Sequence, residues 1–176
     1  FTVDDKGCVM KVVFGAHLPH EDQPYRAVLA ALQLREELGL EGVQPAVGVA
    51  SGECLIGPVG SAVRQEFTIH GAEVILAARL MQLATEYGGI LCDEQTYAPA
   101  CDGVSFVQLR PVELKGKSTT VVPYRPVAVT ARSQSPSWLD AKPSGQYHEL
   151  DATIRTRSEC AEWLAEPEPR FRAIVL

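Results

Sequence analysis

No stretch of this 176-residue sequence is apolar over the roughly 20 residues that a membrane-spanning helix needs, and none is patterned as a signal peptide. Cysteines come without pairs: Cys8, Cys54, Cys92, Cys101 and Cys160 are scattered, odd in number and never spaced as CxxC. That argues against a disulfide framework and suits reduced thiols, so a cytoplasmic setting is expected. Positive charge is also short, with 16 Lys and Arg against 22 Asp and Glu, a formal net charge of -6 and a pI of about 5.2. Nucleic acid and anionic membrane are poor partners for such a chain, although a local group of basic residues can still hold a nucleotide. The glycine-rich run 57–61, GPVGS, lacks the Gly-Lys-Ser/Thr ending that gives a phosphate loop its chemistry. Nor is there an opening methionine: the chain starts at Phe1 inside what reads as a strand, as a piece of a longer polypeptide would.

What is present suffices for a buried core, since 46% of the residues are hydrophobic, and the length suits one ordinary domain with an appendage. Residues 1–15, FTVDDKGCVMKVVFG, read as two strands about a turn at 4–7. His17 and His20 beside Glu21 and Asp22 raise the question of a metal site, but with no further ligand they read as a solvated loop. Pro24 opens a helix over 24–39, with Val28, Leu29, Leu32 and Leu38 as its apolar recurrence and Gly39 as its stop. VQPAVGVASG reads as a buried strand and ECLIGPVG as its partner, with glycines at 48, 52, 57 and 60 implying turns, bulges or close backbone approach. A strand over 67–69, a helix over 71–87 ended by Gly88-Gly89, a short strand ILCD and a helical turn within 93–101 follow. Strands with a turn at 115–117 then run to 127. From 128 to 155 the chain turns rich in Ser, Pro and Gly, as a linker does, with Trp138 and Leu139 apt to pin it to a surface. SECAEWLAEP reads as a short amphipathic helix capped by Ser158, and RFRAIVL as a strand.

One stretch organises the rest: FTIHGAEVILAARLM, residues 67–81, a short extended run, a glycine and a helix. Its helix is apolar at nearly every position, so the Arg79 guanidinium must reach a polar partner or emerge at an edge. Thr68 lies just before the helix, and positions 75 and 79 stand four apart on one helical face, so the three can look into one cleft.

Together with the upstream GVASGECLIGPVGSAVRQ, this run resembles the signature of the class III nucleotidyl cyclases, and most of all the second catalytic half of soluble-type adenylyl cyclases. The resemblance covers roughly residues 1–125 and implies an α+β, ferredoxin-like cyclase homology domain over 1–127 that lacks its first strand and helices. It further implies that residues 156–176 begin a following module of the P-loop ATPase kind. By resemblance Thr68 reads the adenine edge and Arg79 stabilises phosphate in the transition state, a task for which the planar guanidinium fork is apt. Lys6 is the candidate for the family's purine-contacting lysine, a solvated turn residue being its plainer reading. The position that orients the ribose in the family is an asparagine; here it is Ile75, which offers neither donor nor acceptor. Where catalytic first halves carry a metal-binding Gly-Asp, this chain has Gly7-Cys8, and a neutral thiol is a poor ligand for Mg2+. The resemblance therefore assigns Mg2+ or Mn2+ to a partnering first half on the same polypeptide, not to this chain, with ATP as substrate and cAMP and pyrophosphate as products. A cyclase-like module kept for its dimerising surface, without turnover, is the alternative that Ile75 and Cys8 leave open.

Overall fold

The computed structural model describes the backbone of residues 2–4, 7–15, 22–60, 65–113, 120–130 and 171–175, and the side chains of 9–15, 22–57, 68–113 and 120–130. Along the chain come β1 (Thr2–Asp4), β2 (Gly7–Val12), α1 (Gln23–Leu40), β3 (Ala46–Val49), β4 (Leu55–Gly60) and β5 (Gln65–His70). Then follow α2 (Ala72–Ala84), β6 (Ile90–Cys92), α3 (Glu94–Ala100), β7 (Val104–Gln108), β8 (Val112–Glu113), β9 (Thr120–Val121), β10 (Tyr124–Val129) and β11 (Phe171–Val175). Seven of the strands form one mixed sheet in the order β1-β2-β11-β3-β6-β10-β7, while β4-β5 and β8-β9 are separate antiparallel pairs.

Side chains alternate across β3 and decide which helix sits where. Val47 and Val49 point to one face, into a cluster with Tyr25, Val28 and Leu29 of α1, Ala100 of α3, and Ile90 and Cys92 of β6. Ala46 and Ala50 point to the other, against Leu76, Ala77, Leu80 and Met81 of α2 and Leu91 of β6. Large residues thus fill the space under α1 and α3, and small ones let α2 come close. Gly48 is the extreme case, since a Cβ there would run into the Ala77 carbonyl oxygen and the Met81 backbone nitrogen. The close approach expected of these glycines is met at Gly48, but the expected pairing of VQPAVGVASG with ECLIGPVG is not: β3 pairs with β11 and β6, and β4 pairs with β5.

Helix α1 starts one residue before Pro24 and ends one residue after Gly39. Asp22 stands at its N-terminus and accepts from Arg26 Nε at 2.7 Å instead of capping a backbone N–H. Helix α2 is shorter than the periodicity implies, ending at Ala84, where the Thr85 hydroxyl donates to the Gln82 carbonyl at 2.8 Å. Gly88 and Gly89 then take positive φ of 97° and 92°, and Gly89 N–H returns to the Ala84 carbonyl, so the glycine pair does end the helical path. Tyr97 stacks on Tyr124 with ring centroids 4.0 Å apart and meets Phe106 edge-on at 5.2 Å, tying α3 to β7 and β10.

Among the described residues no helix is long and apolar enough to cross a membrane. The strand read in RFRAIVL forms as β11 and pairs inside the large sheet with β2 and β3. The helix read at 158–167, Trp138 and Leu139, and the turn at 115–117 lie outside the described residues.

Candidate functional site

The β4-β5 hairpin and the helix that follows it build the site. Because β4 and β5 pair with each other and with no other described strand, each has two distinct faces. Ile56 opposite Ile69 faces the body of the chain and lines a cavity of about 220 Å³ shared with Val13, Phe14, Ala27 and Ser51. The other face carries Leu55 opposite His70 and Gly57 opposite Thr68. Leu55 is 80% exposed, and a Cβ at Gly57 would meet nothing, so open space lies beside the half-buried Thr68.

Gly71 turns the chain into α2, and its lack of a side chain leaves room for Cys54 Sγ and for Glu73. Glu73 places an acid in the first turn, where the helix dipole favours it. That carboxylate and partial burial both push the Cys54 thiol above its usual pKa, burial more strongly, so Cys54 is not set up as a nucleophile.

Buried Leu76, Ala77, Leu80, Met81 and Ala84 set the inner side of α2. Ile75 and Arg79 lie on its outer side: Ile75 is 59% exposed, and the half-buried Arg79 donates from Nη1 to Gln82 Oε1 at 3.1 Å. The arginine thus emerges at an edge and, among the described residues, finds one neutral partner, on its own helix. Ile75 lies exposed on α2, Thr68 and Arg79 are half-buried, and none of the three lines the cavity beneath. Lys6, His17, His20 and Glu21 fall outside the described residues, as does the side chain of Cys8.

A polar knot beside the cavity is not anticipated in the sequence reading. Asp93, at the N-terminus of α3, accepts from Thr96 N–H at 3.0 Å, and Thr96 Oγ1 lies 2.8 Å from Ser51 Oγ. Asp93 and Thr96 are buried, and burial pushes the Asp93 carboxyl up, offset in part by hydrogen bonds from Thr96 and Ser51. The signal was available in Asp93 followed three residues later by Thr96, a capping pattern at a short helix. Among the described residues no three His, Cys, Asp or Glu side chains gather as a metal-binding group.

The family model for the adenylate and guanylate cyclase catalytic domain matches residues 8–124, a span that includes β3, the β4-β5 hairpin and the three described helices. The chain belongs to this family. Adenylate cyclase type 10 of Homo sapiens is 39% identical over 99 residues, and that of Rattus norvegicus 37% over 99 residues, each match covering 53% of this chain and 6% of the relative. An uncharacterized protein of Mycobacterium bovis is 34% identical over 100 residues, 55% of this chain and 18% of that one. The chain therefore spans a small part of the curated relatives it matches. Among solved structures, the adenylyl cyclase CyaB from P. aeruginosa superposes with a TM-score of 0.55 at 25% identity, over 64% of this chain and 62% of that one. The guanylyl cyclase Cya2 does so with 0.51 at 29%, over 66% and 64%. The mixed α+β architecture is that of a cyclase domain, and its relatives include adenylyl cyclases.

Proposed function

We propose that the chain is the second catalytic half of a soluble-type adenylyl cyclase, acting with a metal-bearing first half on the same polypeptide to convert ATP into cAMP and pyrophosphate. The observation that carries this reading is the placement of Thr68 and Arg79. Both are half-buried on one hairpin-helix unit outside the cavity, Thr68 beside the space left by Gly57 and Arg79 with a single neutral partner among the described residues. A guanidinium so placed is free to exchange Gln82 for phosphate oxygens, donating two parallel hydrogen bonds as charge builds on the α-phosphate. Thr68 would read the adenine edge and Lys6 would be the second purine contact. The human and rat relatives named as adenylate cyclase type 10 support ATP over GTP, although a guanylyl cyclase is among the similar structures.

The residues of this half do not fit a catalytic Mg2+ or Mn2+. Gly7-Cys8 stands where the resemblance expects a Gly-Asp metal ligand, and a thiol is a soft donor for a hard cation. The metal is accordingly assigned to the partner half, and no step is routed through it here. Exposed Leu55 and Ile75 on the open surface are apolar groups that a second domain would cover. A cytoplasmic location follows from the same reading.

Ile75 favours a second reading, a cyclase-like module retained for pairing with little or no turnover, because an apolar side chain stands where the ribose would be oriented. One experiment separates the two: cAMP formation by the complete polypeptide with Mg2+ or Mn2+, compared with its Arg79→Ala variant. Turnover that drops with Arg79→Ala supports the cyclase. No turnover, with no ATP bound at millimolar concentration, leaves the pairing module.

A further inference from the structure

The strands of the β4-β5 hairpin pair with each other and with no other described strand. None of its described side chains joins either helix-packed cluster; Ile56 and Ile69, which face inward, line the cavity of about 220 Å³ instead. A two-stranded hairpin alone is marginally stable in water, so its position depends on what fixes its ends. One end runs through His70 and Gly71 into α2. The other is the connector 51–54, which leads from β3 into β4.

That connector is gripped from two sides. A Cβ at Gly52 would run into Glu73 Cγ, and one at Gly71 would press on Cys54 Sγ, so the start of α2 packs directly on it. On the other side Ser51 meets the buried pair Asp93 and Thr96. The Asp93 carboxylate accepts from the backbone N–H groups of Thr96 and Ser51 and from the Thr96 hydroxyl. With the Thr96 hydroxyl proton committed to Asp93, the Ser51 hydroxyl is the donor in the 2.8 Å contact between the two. Asp93 N–H in turn donates to the Val49 carbonyl at the end of β3, at 3.2 Å. Capping α3 needs only the bond from Thr96 N–H. Both donors of Ser51 are additional, and both end on Asp93, one directly and one through Thr96.

We infer that Asp93, acting through Thr96 and Ser51, is a positioning residue: the knot fixes the base of the β4-β5 hairpin and so sets where Thr68 stands relative to Arg79. The consequence for nucleotide rests on the cyclase reading, under which Thr68 meets the base and Arg79 the phosphate. Loosening the knot then lets the strand that carries Thr68 drift and weakens nucleotide binding. Arg79 stays in place, because its helix is packed on the sheet through Leu76, Ala77, Leu80 and Met81. The anchoring itself is independent of that reading.

Thr96→Val tests it, since it removes the hydroxyl and keeps the N–H bond that caps α3. One net buried hydrogen bond corresponds to about a two- to tenfold change in an equilibrium. In hydrogen exchange on the whole chain, amides of the hairpin should therefore exchange about three- to tenfold faster, with those of β6 and α2 within about twofold. Thr96→Ser restores the hydroxyl and should return the hairpin to within about twofold of the unmodified chain. In the complete polypeptide Thr96→Val should raise KM for ATP about three- to tenfold and leave kcat within about twofold. Unchanged hairpin exchange, protection lost equally from β6 and α2, or no recovery in Thr96→Ser overturns the anchor. With the hairpin loosened and turnover present, an unchanged KM overturns the positioning of Thr68. No turnover and no ATP binding by the complete polypeptide sink the cyclase reading, and hairpin exchange still decides the anchor. Should Thr96→Val fail to fold, Ser51→Ala, at a half-buried position, is read by the same exchange and KM criteria.

Discussion

Replacing Ile75 by asparagine supplies the amide that the cyclase resemblance expects at this position, and its cost and gain differ enough to be read apart. Ile75 is 59% exposed, so less than half of its side-chain burial is at stake. Full burial of an isoleucine contributes about 1.5–3 kcal/mol, which puts the loss here at about 1 kcal/mol. Isoleucine and asparagine differ little in helix propensity, so α2 should persist. On the other side, a side-chain donor aimed at the reacting centre is worth roughly 3–4 kcal/mol when its removal is measured, or about 10² to 10³ in kcat. Ile75→Asn is therefore expected to raise cAMP formation by the complete polypeptide by about two orders of magnitude, with the gain in kcat more than in KM. The measurement is steady-state cAMP production from ATP, with urea unfolding of both proteins as the control for folding. If the variant folds as the unmodified protein does, binds ATP and turns it over no faster, position 75 does not face the ribose and the assignment of the cleft to α2 is wrong.

Three further outcomes follow from the same structure. Arg79→Lys keeps the charge and loses the fork; hydrogen bonds to charged groups are worth about 1.5–3 kcal/mol, so kcat should fall by about 10- to 100-fold while urea stability, with only the Gln82 contact affected, stays within about 0.5 kcal/mol. Gly48→Ala forces a Cβ into the Ala77 carbonyl and should cost about 1–3 kcal/mol or more in urea unfolding, because helix backbone has to give way; an unchanged midpoint would contradict the packing of α2 on β3. For Asp93 the folded-state pKa is raised above 3.8, chiefly by burial, so the folded chain binds more protons than the unfolded one in the window above 3.8 and stability falls as pH rises through the raised value. Asp93→Asn keeps an acceptor for Thr96 N–H and removes that titration, so its stability relative to the unmodified chain should improve across the same window, and a pH-independent difference would refute the shift.

What the sequence made legible, and what it did not, follows from the range of each interaction. Helix α2, the glycine pair that ends its path and the strand leading into it were readable because apolar spacing, a turn glycine and a stop signal all sit within one local window. The position of Gly48 was legible only as a close approach of some backbone, since nothing local says that Ala77 and Met81 are what approaches. Asp93 was hidden for a related reason. Its cap on Thr96 is local, but the Ser51 that joins the knot comes from the end of another strand, 45 positions away in the Ser51–Thr96 pairing. Strand β11 is the furthest case. Its apolar residues announced a strand, yet its neighbours β2 and β3 lie over a hundred positions earlier, and no periodicity encodes which edge a strand will find.

The candidate site has the same character at a larger scale. Its two candidate residues, Thr68 and Arg79, were found from a local motif, and the structure leaves both half-buried on the hairpin and helix, outside the cavity beneath. A catalytic pocket that lay within one chain would show its polar groups converging inward, as the Asp93 knot does. Here the Asp93 knot is satisfied within the fold, and the two candidate groups lie half-buried outside the cavity, with Leu55 and Ile75 exposed on the same hairpin-helix unit. On the proposed reading this arrangement suits half of a shared site, whose chemistry would be enclosed only when a second domain supplies the opposite wall. Mixing the complete polypeptide with an excess of an isolated copy of this chain should then lower its turnover, if the copy competes for that wall.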